Sequence, residues 1–174
     1  MSEVVPIYAQ GLFSVSPGRV VMVVIFDYLD RGEYYAGLLR RGGEALAQEL
    51  ETLWDNMQGF LDEEEVLING ARVRPTVRDV YVGLRGDAKR PYIEYIIDFP
   101  AELKPGVNTY RNRYEPEVAE YDYEATWVLP ERSELLRWNI AGEVEAPEPN
   151  ILRVHVKKGT RVGGEEGFDF KIAF

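Results

Sequence analysis

The sequence predicts a β-rich α+β fold: an antiparallel curved sheet or sandwich of about eight strands, with one long amphipathic helix over 44–62 packed on it. Three observations predict it. Two-residue hydrophobic alternation recurs from one end of the chain to the other, with turn signals between the runs. Helical spacing is confined to a single region between strands. Helices alternating with strands, which a doubly wound parallel sheet needs, are missing.

Pro6 to Ser16 and Arg19 to Leu29 read as extended segments around the turn pair Pro17-Gly18. Val20 to Phe26 is apolar on both faces, which predicts a central strand covered on both sides, its second face by the segment that follows. There Asp30 and Glu33 make a capping-box-like pair, and Tyr34, Tyr35, Leu38 and Leu39 recur at helical spacing until Gly42-Gly43 ends or kinks the helix. From Glu44 to Asp62 the residues Leu46, Leu50, Leu53, Trp54, Met57, Phe60 and Leu61 form a stripe roughly 120° wide. That stripe predicts core packing against the sheet, with Trp54 buried.

Asn69-Gly70 suits both central positions of a type I′ turn and predicts a hairpin of Glu65–Ile68 with Ala71–Arg74. Val77–Leu84 and Tyr92–Phe99 form a second pair around Gly86-Asp87. Pro100, Pro105 and Pro116 delimit a long loop, Glu117–Leu129 reads as one long alternating strand, and Pro130–Ile140 as a connection with a short helical turn. Pro147 and Pro149 mark a further connection. Ile151–Val156 and Phe168–Phe174 are the last strands, with Phe168, Phe170, Ile172 and Phe174 facing the core. With 174 residues and no internal repeat, the whole of 1–174 reads as one domain.

Composition excludes more than it implies. The chain has no cysteine, so disulfides, thiolate metal sites and cysteine nucleophiles are ruled out. One histidine, His155, rules out any site needing two imidazoles. A net charge of −10 argues against nucleic acid as a partner. The N-terminus carries no basic and apolar leader, and the longest apolar run, Val20 to Phe26, is far too short to cross a bilayer as a helix, so the expected location is cytoplasmic, away from the membrane. Scarce Asn and Gln with abundant Glu give a thermophile-like composition.

Few residues point to chemistry. On the strand Glu117–Leu129, alternation puts Glu120, Asp122 and Glu124 on one face at about 6.6 Å spacing, too wide to chelate one ion from that strand alone. A solvated face paired with Arg72, Arg74 and Arg78 of a neighbouring strand explains them; a divalent site remains the alternative. Glu94, Asp98, Glu115 and Glu124 are the carboxylates a glycosidase-like reading would draw on, and no sequence feature sets any of them apart. The serines lack a nucleophile elbow, and His155 groups with Ile151 and Arg153 on its strand, as a partly exposed structural histidine. Gly159–Gly167 reads as a flexible hairpin loop, since a phosphate cradle wants a helix N-terminus and positive charge. No cofactor, metal or catalytic residue is assigned.

The charge map carries more. Residues 43–66 hold eight acids and no Lys or Arg, and residues 114–149 hold ten acids against two arginines. On the helix, Glu44, Glu51, Asp55 and Asp62 cluster opposite the apolar stripe and suggest a ridge for a basic partner. The resulting expectation is a non-enzymatic binding or assembly domain that engages a basic protein or a second copy of itself. Two alternatives stand beside it: a small carboxylate-dependent hydrolase, and a carrier of an apolar or carbohydrate ligand in a cleft lined by Tyr121, Tyr123, Trp127 and Trp138.

Overall fold

The computed structural model describes residues 4–173; Met1, Ser2, Glu3 and Phe174 lie outside the described residues. The chain opens with a long hairpin, β1 (Val4–Ser16) and β2 (Gly18–Asp30), and Gly18 at φ 103° makes the tight turn. Two helices follow, α1 (Tyr34–Arg41) and α2 (Gly43–Glu63). The short strands β3 (Glu65–Ile68) and β4 (Ala71–Val73) pair across Asn69-Gly70, both at positive φ as a type I′ turn requires. Next come β5 (Thr76–Leu84), β6 (Pro91–Ala101), β7 (Gly106–Val118) and β8 (Asp122–Val128). The chain closes with β9 (Ser133–Asn139), β10 (Glu143–Glu148), β11 (Ile151–Val156) and β12 (Arg161–Ile172).

These strands form two sheets. Sheet A runs β10-β11-β8-β1-β2-β6-β5, and sheet B runs β4-β3-β7-β12-β9. The β-rich α+β class is as the alternation predicts, but the described residues hold twelve strands and two helices where about eight strands and one long helix were expected. The missed strands have identifiable causes. The proline-bounded segment before Glu117 is β7, because Pro105 precedes the strand and Pro116 falls near its outer end. The supposed single strand Glu117–Leu129 is two: β7 ends at Val118, and Ala119–Tyr121 carries the chain from sheet B to sheet A. Gly163-Gly164 lies inside β12 at an irregularity in its pairing with β7, which absorbs most of the presumed loop. Nor is pairing wholly antiparallel, since β1 runs parallel to β8 (Tyr8↔Asp122 to Ser14↔Val128).

One face of sheet A carries both apolar clusters. Towards the Pro17-Gly18 end, Val15, Val20, Phe99, Trp127, Leu152 and Val154 meet Tyr110, Phe168 and Phe170 of sheet B. Further along the same face, Ile93, Tyr95, Ile97, Val77 and Val82 meet Tyr35 and Leu38 of α1 and Leu61 of α2. Both layers therefore cover the even-numbered side of β2. Its odd-numbered side, Val21, Val23 and Ile25, stays half-exposed beside Leu12 (48% exposed) and Ile96. The expectation that the helical segment would cover this second face is corrected: α1 and α2 lie on the first.

α1 begins without a capping box. Glu33 adopts a left-handed conformation (φ 55°) and makes no side-chain cap, while the buried Asp30 carboxylate accepts the Tyr35 N–H at 2.9 Å. α2 packs on β5, the edge strand of sheet A, and only the middle of its stripe is covered. Trp54 and Phe60, about 60° to either side of the stripe's centre on the helical wheel, are 37% and 64% exposed. The predicted burial of Trp54 is corrected for that reason.

Candidate functional site

The predicted acidic ridge stands exposed on α2. Glu51 and Asp55 make no hydrogen bond or ion pair to Lys or Arg among the described residues, and Glu44 accepts only from Gln48, at 3.4 Å. Asp62 differs. Arg74 reaches it from the loop after β4 with both Nε and Nη2, at 3.0 and 3.1 Å, and this hydrogen bonding holds its carboxyl below the usual carboxylate range. The sequence spacing showed no i+4 base because the base arrives through the β3–β4 hairpin.

The four aromatic residues proposed for a cleft are not brought together. Trp127 is buried, its ring stacked on Phe13 at 4.2 Å and tilted against Tyr110 at 4.5 Å. Tyr121 and Tyr123 are half-buried where the chain enters β8, and burial, with the nearby Glu166 and Glu117 carboxylates, pushes the Tyr123 hydroxyl up to about 12. Trp138 lies on β9, at the far edge of the other sheet.

On the outer face of sheet A, Asp122 accepts the Lys158 N–H at 2.8 Å, and Glu124 accepts from Gln10 at 3.0 Å. The arginines expected to pair with this acidic face lie elsewhere: Arg78 binds Asp98 and Arg74 binds Asp62. Strands β1, β2 and β6 separate β5 from β8, a distance that sequence parity does not encode. His155 sits between Glu124 and Glu145, at 3.4 Å from Nδ1 and Nε2 respectively, and its hydrogen bond with that of Arg153 holds the Glu145 carboxyl low. The described residues contain no group of three or more His, Asp or Glu arranged to hold a metal ion.

A second carboxylate cluster lies inside the sandwich. Glu166 accepts the Tyr114 hydroxyl at 2.5 Å and the Ala141 N–H at 3.0 Å. Burial pushes the Glu64 carboxyl up, aided by Glu117 and Glu166 and opposed by a hydrogen bond from Asn112. Both oxygens of Glu166 are thus occupied by structural donors.

An open surface groove lies where the free edges of the two sheets approach, between β9 and β10. Gly142 turns the chain from one sheet to the other at φ 101°; a Cβ there would lie 2.5 Å from the His155 carbonyl oxygen. Leu135 N–H donates to Pro149 O at 2.8 Å and closes one end. Beyond that bond runs a groove of about 310 Å³ lined by Leu135, Trp138, Ala146, Pro147 and Pro149 together with Glu134 and Glu148. Across Trp138, which is 45% exposed, lies a second hollow of about 210 Å³ containing Arg111 and Arg137. The charges of that hollow are already matched, because both arginines bind the buried Asp169.

The sequence reading missed the groove because β9 contains a bulge. Leu135 pairs with Phe170 and Trp138 with Phe168, so an irregularity at Leu136 puts residues three apart on one face. That spacing imitates a helical turn. The signal that marked the site was the pair Pro147 and Pro149 beside alternating glutamates.

No family model matches the chain, and no curated protein does. Among solved structures the chain is similar to yeast leukotriene A4 hydrolase in complex with bestatin, with a TM-score of 0.39 and 9% identity over 99% of this chain and 30% of that one. Native forms of the yeast enzyme give TM-scores of 0.38 with 11% and 9% identity, over 96% and 97% of this chain and again 30% of theirs. The chain thus spans under a third of the length of those proteins. A likeness at this level carries no argument about activity.

Proposed function

We propose that the chain is a non-enzymatic binding domain that engages a basic protein partner, in the cytoplasm, through its acidic surfaces. The observation that carries this reading is the β9–β10 groove, whose lining sets Glu134 and Glu148 beside the apolar residues around Trp138. Glu143 and Glu145 continue the acidic character along β10, and Arg137, the nearest base on β9, is bound to Asp169. Apolar contact set beside unpaired charge is the arrangement of a protein interface. The groove is lined almost entirely by exposed residues, whereas a small-molecule site buries most of its ligand. The α2 residues Glu44, Glu51 and Asp55 offer a second acidic surface of the same sign.

Calorimetric titration with an oligolysine peptide and an oligoglutamate peptide tests the reading. Oligolysine is expected to bind, more weakly as salt is raised, and oligoglutamate is not. No heat from oligolysine at low salt, or equal binding of both peptides, would overturn it.

Self-assembly is a second reading, favoured by the uncovered Leu12, Val21, Val23, Ile25 and Ile96 on sheet A. Sedimentation of the wild type and of Val23→Glu separates the two readings: a monomer at all concentrations removes the second.

A further inference from the structure

We infer that the basic partner binds as an extended segment, adding a short strand to the outer edge of β9 and passing over Trp138; this rests on the basic-partner reading above. The two sheets have four edges, β10 and β5 in sheet A and β4 and β9 in sheet B. An open edge invites pairing with another chain, and folded proteins blunt such edges with helices, prolines, charge or brevity. At β5, Gln58 of α2 takes the Val77 N–H at 2.9 Å. β4 is three residues long. β10 contains Pro147 and carries Glu143, Glu145 and Glu148. β9 has neither proline nor covering helix, and its outer edge makes two backbone hydrogen bonds among the described residues, from Ser133 to Pro130 and from Leu135 to Pro149, both before Leu136.

The bulge at Leu136 limits what can pair. Past it, Arg137, Trp138 and Asn139 remain, enough for a short added strand beside the groove. Because strand side chains alternate, every second residue of that strand would turn inward, towards Trp138 and the groove glutamates. A Lys or Arg at an inward position meets the indole face of Trp138 and the carboxylate of Glu148 or Glu134, gaining a cation–π contact and a charge-assisted hydrogen bond. An acidic segment at the same position would meet only like charge.

Four peptides test this: an alternating Lys–Val heptapeptide, the same peptide N-methylated at alternate residues in either of two registers so that one or the other set of its backbone donors is lost, and an alternating Glu–Val heptapeptide. Binding is followed by Trp emission and calorimetry. The Lys–Val peptide is expected to bind, with each of the two possible N-methylation registers prepared and one weakened by about fivefold to tenfold. Trp138→Ala and Glu148→Lys are expected to weaken the unmodified peptide by a similar factor, and by more than Glu51→Lys with Asp55→Lys does, while Asp79→Lys on the exposed face of β5 leaves it unchanged; circular dichroism confirms folding of each variant. If neither methylated peptide is weakened, strand addition is wrong and the basic-partner reading survives. If the α2 variant abolishes binding and the groove variants do not, the partner docks on α2 and the inference falls. If no basic peptide binds, the inference and the reading beneath it fall together.

Discussion

Val77 donates its backbone N–H to the Oε1 of Gln58 at 2.9 Å, so a side chain of α2 takes the place of the strand that β5 lacks. The Nε2 of the same Gln58 side chain donates to Pro75 O at 3.0 Å, and Val77 is almost wholly buried. Gln58→Leu keeps the bulk and removes both bonds. It is expected to cost about 1–3 kcal/mol, the penalty for an orphaned buried donor. Urea denaturation checks this; a loss below about 0.5 kcal/mol would mean that water replaces the side chain.

The three tryptophans should separate cleanly. Trp127 is buried within an aromatic cluster of Phe13, Tyr110 and Phe168, and Trp127→Ala is expected to cost about 3–5 kcal/mol through the cavity it leaves. Trp54, on the flank of α2, should cost about 1 kcal/mol or less on the same substitution. In acrylamide quenching, Trp54 and Trp138 are expected to be accessible and Trp127 protected. Equal costs for Trp54→Ala and Trp127→Ala would show that α2 sits deeper than its exposed flanks imply.

Asp169 ties β7, β9 and β12 together through Arg111 and Arg137. Burial alone would raise its carboxyl, but the hydrogen bonds and charges of the two arginines outweigh burial and hold it below the usual carboxylate range. A depressed carboxylate stabilises the fold above the unfolded value, about 3.9, and the benefit disappears as pH falls through the folded value. Asp169→Asn is therefore expected to cost about 2–3 kcal/mol at neutral pH, less than a fully buried pair because Arg137 is exposed. The gap between the two proteins should hold down to about pH 5 and narrow below about pH 4. A gap independent of pH would mean that the carboxylate's charge is not what stabilises.

Glu64 should behave in the opposite way. Its carboxyl is raised by burial and by Glu117 and Glu166, so the folded protein binds its proton more tightly than the unfolded chain does. Stability contributed by this group is present below about pH 4.3 and is lost as pH rises through the folded value. Glu64→Gln, neutral at every pH, is expected to gain on the wild type between acid and neutral conditions. Parallel stability curves for the two proteins across that range would sink the idea.

Local signals were legible wherever the determinant lay within a few residues. Asn69-Gly70 announced its hairpin, Pro17-Gly18 its turn, and the leucine spacing of 46–61 its helix. Of the candidate site, Trp138 was legible as a ligand-contacting aromatic but was grouped with Tyr121, Tyr123 and Trp127, which lie elsewhere, and its neighbours Pro147 and Pro149 read as mere punctuation. The bulge at Leu136 made a strand look helical, and two glycines inside β12 made it look like a loop.

What the sequence by itself determined, then, is the β-rich class, the hairpins, the helical stripe of 46–61 and the acidic blocks, because turn geometry, side-chain period and charge are properties of near neighbours. Only the tertiary structure decided that β1 runs parallel to β8, that both helices share a face with sheet B, and that β9 and β10 meet to form a groove. Those outcomes depend on contacts such as Gln10 with Glu124, 114 residues apart. At such separations either face of a strand apolar on both sides, as β2 is, can serve as the core face. The choice is made by how much apolar surface the assembled layers bury together.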